Sequence, residues 1–494
     1  MKMMTSIGSC SLKNYGMCKD HIIDIPITKQ DLMCDELNID VPLVMEPAKW
    51  PECCIYRAPK RLRKINKKGY TPKLISIGPF HLGDPELREM EMLKVRYFKE
   101  FCYRIRKSQK EIASIIEENE VKIRHCYSEI FDISSEDFVK MVLLDSTFII
   151  ELFLRTYEND YIASNPMLHV HIQEDLILLE NQLPFFILEG LYEIFIKGQC
   201  ENSSFFDLAC NYFSSHIKKI EKKEVKHFTD LIRYSYCPIK HNTFGGGISD
   251  LCTAKKLSEA EVIFKMDKEG DALDIEFLKS PATEICPCFT CSWLLNCLPC
   301  LKRFGCLERM QPLWKIPRFK INDGTESLLR NIMALEQCHY PMEAYVCNYM
   351  VLLDYLIDST REDVHLLVEK NIIVNEIGSN KAVAIMVNKL GLEIVEENSC
   401  YTDLAEELKD HYAQCCNHNM GYLRSTYFSN LWRGTVTVVG LIVLGFTFWS
   451  TIRPYVPHQI DLPPNAINNI IVSCADTHVH AAVSISKGCN LAYK

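Results

Sequence analysis

Residues 134–155 read SSEDFVKMVLLDSTFIIELFLR, and this stretch decides the fold class. Ser134, followed three residues later by Asp137, resembles a capping box, so a helix is predicted to start near Ser134. From Met141 onward the helix is apolar on nearly every side, Asp145 and Glu151 excepted. A helix without a polar face belongs in the middle of a helical core. The rest of the chain must then supply elements to cover it.

Upstream, Asp84-Pro85-Glu86 reads as an N-cap with proline at the first helical position. Met90, Leu93, Tyr97, Phe98, Phe101 and Ile105 follow at steps of three and four, the period of an amphipathic helix. Downstream, the pattern predicts a third apolar helix over about 173–198, in which Pro184 must either kink the helix or begin a new one. Gly245-Gly246-Gly247 marks a loop. LDIEF and WKIPRFKI, within 251–278 and 313–322, are short β-compatible runs, and helical pattern resumes over 326–390. The expected class is mainly α, with a few short strands.

The 494 residues are ample to bury a core without disulfides or metal. Hydrophobic residues make up 48% and charged residues 24%, which excludes a disordered or collagen-like chain. With 55 basic and 64 acidic side chains the net charge is −9, which argues against a general nucleic-acid binder. The 24 cysteines are unusual for a cytosolic protein. Twenty-two of them precede residue 434.

That residue opens GTVTVVGLIVLGFTFWSTI, 434–452, an uncharged run of 19 between Arg433 and Arg453. It is close to the ~20 residues that span a bilayer core. Trp432, Trp449 and Tyr455 stand where interfacial aromatics belong. We therefore expect a transmembrane helix over 434–452, and the lipid bilayer is the partner this implies. Lys409, Arg424 and Arg433 precede the span, against Arg453 after it, which favours a cytoplasmic bulk and a tail outside. The N-terminus lacks the apolar region of a secretory signal. On this topology the cysteines before the span face a reducing compartment, and only Cys474 and Cys489 lie where a disulfide is permitted. The sequon at Asn202 would stay unmodified. The expected organisation is a leader over 1–45, a helical domain over 46–420, the span at 434–452 and a tail at 453–494.

Several segments stand together in a recognisable order. They are IYRAPKRLRKINKKGYTPKLISIGPFHLGD (55–84), LKVRYFKEF (93–101), LLDSTFIIELF (143–153), DLILLENQLPFFILE (175–189), IPRFKINDGTESLLRNIMALEQCH (316–339) and EDVHLLVEKNIIVNEIGSN (362–380). With the terminal apolar span after YFSNLW, this series resembles the plant-specific domain-of-unknown-function 247 family over about residues 46–452. The resemblance implies a mostly helical plant protein with one C-terminal transmembrane helix; the expected location is the plasma membrane. It implies no reaction, since the family has no established enzymatic activity. Some members are implicated in pollen self-incompatibility recognition in grasses, which points to an unidentified protein partner. The chain departs from the family pattern in an insert over 279–312 and in its long tail.

Candidate chemistry is sparse. The insert carries Cys286, Cys288, Cys291, Cys297, Cys300 and Cys306. Cys288/Cys291 and Cys297/Cys300 are two C-x-x-C pairs, the local spacing with which thiolates grip zinc. Only five residues, SWLLN, separate the pairs, far fewer than in zinc fingers, so S-acylation at a membrane and an insertion without function stand beside the zinc reading. Arg57, Lys60, Arg61, Arg63, Lys64, Lys67 and Lys68 form a basic run without an acid. It reads as an acidic-lipid patch, a nuclear-import signal or a solvated counterweight to the acidic bulk. Asp145, Glu151 and Glu180 are the carboxylates from which an acid/base set would be drawn, but no nucleophile or metal pattern accompanies them, so structural ion pairing, with Arg155 and the basic run as partners, is the simpler role. His169-Val-His171 is predicted to lie in a loop or at a strand end. Cys338 and His339, adjacent on a helix, point about 100° apart and make a poor dyad. Nucleotide-loop, zincin, nucleophile-elbow and kinase signatures are absent.

The reading that follows is a membrane-anchored helical protein acting by protein–protein recognition or signalling, with no cofactor and no nucleic acid as partner. An enzyme using the buried carboxylates and a nuclear-associated factor are the alternatives.

Overall fold

The computed structural model describes residues 46–157, 166–197, 203–214, 224–238, 245–268, 273–279, 312–358, 361–413, 427 and 431–453. The leader, Asn202, the six insert cysteines (Cys288, Cys291, Cys297 and Cys300 among them) and the tail with Cys474 and Cys489 lie outside the described residues.

The described part is mainly α-helical, with a few short strands. The first helices are α1 (Lys60–Ile65), α2 (Arg88–Ile105), α3 (Gln109–His125) and α4 (Ser135–Tyr157). Ser134 caps α4 as its spacing predicts: its hydroxyl accepts from the Asp137 N–H at 3.1 Å and donates to the Asp137 carboxylate at 2.8 Å. Asp84 accepts from the Glu86 N–H at 3.0 Å, but the turn it opens is a 3-10 turn, Pro85–Leu87, and α2 begins only at Arg88. The all-round apolar α4 sits where its composition requires, with an unbroken buried run from Asp145 to Leu154. Helices α2 and α3 pack against it, as do α6 (Phe185–Phe195) and α7 (Phe205–Tyr212).

Of the two alternatives for Pro184 within 173–198, a kink or a new start, the structure has the second. Helix α5 (Pro166–Ile177) ends before Leu178, and Pro184 stands as N-cap of α6. Proline has no N–H to continue a helix, and its ring clashes with the preceding turn. The seven residues between, LLENQLP, are all buried. His169 and His171 lie within α5, not in a loop or at a strand end. Pro166 begins α5 seven residues before the apolar pattern does, and its first turns are exposed, so the apolar period gave no sign of them.

Next come α8 (Phe228–Tyr234) and α9 (Ala254–Glu259), followed by the strands. These are β1 (Ile263–Asp267), β2 (Glu276–Leu278), β3 (Leu313–Pro317), β4 (Phe319–Ile321) and β5 (Ile373–Asn375). β3 is central in a three-stranded sheet, parallel to β1 with Phe264 opposite Trp314, and antiparallel to β2. β4 and β5 pair in parallel. The helical pattern over 326–390 resolves into α10 (Thr325–His339), α11 (Tyr345–Leu356), α12 (Arg361–Glu369) and α13 (Asn380–Gly391), interrupted by β5. Helix α14 (Thr402–Ala413) and the long α15 (Leu431–Ile452) complete the series. One continuous apolar cluster runs from Cys54 to Leu408.

Candidate functional site

The turn between α5 and α6 is the polar centre of the molecule. Glu180, Asn181 and Gln182 are each fully buried. Every polar group buried without a partner costs free energy, and here nearly all are matched. Asn181 Oδ1 accepts from the Ile77 N–H at 2.6 Å, while its Nδ2 donates to the carbonyls of Ile75 at 3.0 Å and Asp175 at 2.9 Å. Gln182 Nε2 donates to the Leu176 and Leu178 carbonyls at 2.6 and 2.7 Å, and its Oε1 accepts from the Phe228 N–H at 2.9 Å. The turn's missing backbone ladder is thus supplied by its own amides. Gly78 lies against it with φ +72°, and a Cβ there would stand 2.5 Å from the Gln182 carbonyl oxygen.

Glu180 faces the basic run. It accepts from the Ala58 N–H at 3.0 Å and from the Arg63 guanidinium, with Arg57 at 3.7 Å and His81 Nε2 at 3.3 Å. Burial pushes its carboxyl up, but the His81 and Arg63 contacts together outweigh burial and hold it below its ordinary range. The seven-residue basic run is therefore divided by the fold. Arg63 turns inward onto Glu180 and Arg57 is shared between Glu129, at 2.8 Å, and Glu180, whereas Lys60, Arg61, Lys64, Lys67 and Lys68 are exposed.

The other carboxylates are occupied in the same manner. Asp175 accepts the backbone N–H groups of Lys73, Leu74 and Ile75 at 2.7–2.9 Å. Asp145 accepts from the Gly78 N–H at 2.8 Å and pairs with Lys94 at 2.6 Å. Burial opposes the Lys94 charge, but Asp145 and Glu91 outweigh it and raise its pKa, so this buried lysine keeps its proton. Glu151 is gripped by Arg104, at 3.1 and 3.0 Å, and by Arg155 at 3.0 Å.

A further pair carries no signal in simple periodicity. Arg233 on α8 and Glu336 on α10 meet at 3.2 Å, neither side chain exposed. Glu336 also accepts the Val346 and Cys347 N–H groups at 3.2 and 2.8 Å, and Arg233 lies over the Tyr340 ring. On the same helix, Asn331 accepts from the Leu179 N–H at 2.8 Å and donates to the Gly69 and Ser327 carbonyls, both at 2.7 Å. The one available clue was a carboxylate and an amide among the apolar residues of RNIMALEQCH. His227, N-cap of α8, accepts from the Asp230 N–H through Nδ1 at 3.3 Å, and its Nε2 lies 3.0 Å from the Cys54 carbonyl, where it donates. Burial pushes it down to about 3, so the ring is neutral.

Cys338 and His339 form no dyad: His339 Nδ1 is 2.9 Å from the Tyr56 hydroxyl, and burial raises the Cys338 thiol to about 12. The cysteines of the described residues are free thiols. Among the described residues, no group of three or more His, Cys, Asp or Glu side chains is placed to hold a metal ion. A cleft of about 790 Å³ opens between α5, β4 and the start of α10. Its size suits a small molecule. Four of its polar side chains are already engaged: Gln173 with the Tyr212 carbonyl, Glu174 with Lys73, Asn322 with the cap of α10, and Asn331 as above.

The segments knit together at this centre, 55–84, 143–153, 175–189 and 316–339, are those on which the resemblance rests. A family model described as plant protein of unknown function, domain-of-unknown-function 247, matches residues 55–446. The chain belongs to this family. Among similar proteins, UPF0481 protein At3g47200 of Arabidopsis thaliana is 27% identical over 422 residues, covering 82% of this chain and 87% of that protein. A second Arabidopsis thaliana UPF0481 protein, At3g02645, is 23% identical over 470 residues, covering 79% and 88%. No solved structure matches the chain. In this domain-of-unknown-function 247 protein, the motif residues make the interior that holds the fold.

Helix α15 stands apart chemically. Its Trp432–Ile452 segment has a mean hydropathy of 1.9 over its most apolar window and none of that window buried, and it is long and apolar enough to cross a membrane.

Proposed function

We propose that this protein is a single-pass membrane protein, anchored at the plasma membrane by 434–452, whose helical bulk faces the cytoplasm and works by protein–protein recognition. The observation that carries the anchor is the apolar α15, whose Leu441, Ile442, Val443, Leu444, Phe446, Phe448 and Trp449 are all exposed on the protein. A helix apolar on every side is stable in lipid and costly in water. Recognition is supported by what the interior does: Asp145, Glu151, Asp175, Glu180 and Glu336 are each matched by cations or backbone N–H groups beneath the surface. Such a scaffold has rigid internal polar joints and offers its outer face to partners.

Alkaline carbonate extraction of membranes from cells expressing the full chain tests the anchor. The protein stays in the pellet, and deletion of 434–452 releases it; extraction of the full chain would overturn the reading. Orientation is read with a glycosylation tag after Lys494, which is modified, against one before Met1, which is not. For recognition, site-specific photocrosslinking from exposed positions of α2 and α3 in intact cells, Met92, Tyr103 and Val121 among them, yields a discrete adduct that surface substitution abolishes with the fold intact. Uniform absence of adducts from these faces would count against a docking role.

A further inference from the structure

The exposed half of the basic run does not stand alone. Helix α1 and the 3-10 turn that follows it, Lys67–Tyr70, present Lys60, Arg61, Lys64, Lys67 and Lys68 to solvent. Two other segments border this strip. The first is the loop after α13: Arg61 lies 3.5 Å from Glu393, and Ile394 packs on the small cluster of Ala58, Leu62, Tyr70, Leu179, Ala334 and Leu335 that underlies α1. The second is the last turn of α13. Glu326 bonds Asn66 at 2.8 Å and feels the positive charge of Lys389, which brings that lysine to the same side.

The chemistry of these neighbours continues that of the strip. On α13, Val383, Ala384, Met386, Val387 and Leu390 are buried, whereas Lys381, Ile385 and Lys389 are exposed at steps of four on one outer face. Leu392 and Val395 in the loop are 52% and 63% exposed although they are branched apolar residues. Of the acids beside it, Glu393 and Glu326 are paired, with Arg61 and with Asn66 and Arg330, and Asp354, against Gly391 at the end of α13, is half-buried. The surface is thus cationic, with apolar side chains set among the charges, on a protein whose overall charge is −9. An acidic protein partner would match the lysines and leave Ile385, Leu392 and Val395 with nothing specific to meet. An anionic bilayer surface matches both: its headgroups attract Lys and Arg within a Debye length, and its acyl boundary receives apolar side chains.

We propose that the face formed by α1, the following 3-10 turn, the outer side of α13 and residues 392–395 docks onto anionic lipid headgroups. The inference rests on the membrane-anchored reading for its setting, since the anchor supplies the high local lipid concentration. Lys60, Lys64, Lys67, Lys68 and Lys389 contact phosphates, and Leu392 and Val395 enter the headgroup layer. The fold makes this face rigid, because Arg63 of the same helix is fixed inward on Glu180.

The test is amine footprinting by mass spectrometry on the full chain in nanodiscs, of phosphatidylcholine alone or with one-fifth phosphatidylserine or phosphatidylinositol phosphate. Modification of Lys60, Lys64, Lys67, Lys68 and Lys389 is expected to slow about fivefold in either anionic disc, the factor one favourable basic contact is worth. Protection is lost in 0.5 M salt and in Lys64→Glu/Lys67→Glu/Lys68→Glu, where Lys60 and Lys389 report. A difference between the two anionic discs identifies the headgroup. Equal modification in neutral and anionic discs overturns the proposal, as does protection by soluble polyglutamate with none by lipid. Failure of the anchor is read separately, as loss of the full chain from carbonate-washed discs; salt-reversible binding to anionic vesicles by that released chain would still support this face.

Discussion

Gly78 and Gln182 are in backbone contact across the centre of the protein, with room at Gly78 for hydrogen alone. A Cβ there meets the Gln182 carbonyl oxygen at 2.5 Å and the Tyr127 hydroxyl at 3.1 Å, and the φ of +72° is itself unfavourable for any L side chain. The left-handed conformation costs roughly 1–2 kcal/mol without glycine. The clash with a fixed backbone adds to it, so Gly78→Ala is expected to lose about 2–5 kcal/mol. Denaturant unfolding of the full chain in detergent measures this; a loss under 1 kcal/mol would show that the turn can shift.

The Arg233–Glu336 pair gives a sharper test of buried charge. Removing one partner strands the other, at a cost of about 3–5 kcal/mol. Arg233→Met and Glu336→Gln are therefore each expected to be strongly destabilising. In the double variant the second change costs at least about 1 kcal/mol less than it does alone, because no stranded charge remains. A double-mutant cycle on unfolding free energies reads the coupling, and strict additivity would contradict the pairing.

His227 sets a pH dependence. Its folded pKa, pushed to about 3 by burial and further by nearby His339, lies below the unfolded value near 6.5. A depressed folded pKa means that the stabilising contribution is complete above pH 6.5. It is lost progressively as pH falls toward 3, by at most about 1.4 kcal/mol per unit. Stability measured between pH 7 and 5 should fall in the natural protein and fall less steeply in His227→Asn, which keeps a capping oxygen for the Asp230 N–H. Identical slopes in the two proteins would remove His227 from the account.

The anchor makes its own prediction. Val443 lies at the middle of 434–452. An arginine at the centre of a spanning helix costs about 2.5–3.5 kcal/mol on insertion scales. This offsets much of what the eleven strongly apolar residues of the span contribute, so Val443→Arg is expected to move a measurable share of the protein into the carbonate-soluble fraction. Val436→Arg, near the interface, moves less, and equal effects at the two positions would argue against a bilayer centre at Val443.

Helix α4 and the cap at Ser134 were legible because an apolar stretch with a capping box has one stable solution. The α5–α6 break was half legible: Pro184 announced an interruption, but the pattern could not show that seven buried residues would satisfy themselves through Asn181 and Gln182 instead of a helical ladder. The carboxylates Asp145, Glu151 and Glu180 could be named from their apolar surroundings. Arg155 and the basic run could be named as partners too, and they do hold Glu151 and Glu180, but Lys94 and Arg104 could not, lying 51 and 47 residues from the carboxylates they meet. Arg233–Glu336 was missed for the same reason, with 103 residues between its members. The basic run looked uniform because composition does not tell which side of α1 faces Glu180.

The stretch 73–78 has a consequence for how the chain is made. Its N–H groups at Lys73, Leu74, Ile75, Ile77 and Gly78 are satisfied by the side chains of Asp175, Asn181 and Asp145, from 67 to 104 residues later in the sequence. At a ribosome adding ~5–20 residues each second, the stretch waits roughly 5–20 s for most of the acceptors that will hold it. These contacts have high contact order, and their loop-closure entropy must be met before they return any stability. This irregular, mostly buried segment of the N-terminal part consequently cannot be fixed by these contacts until residue 181 has been made.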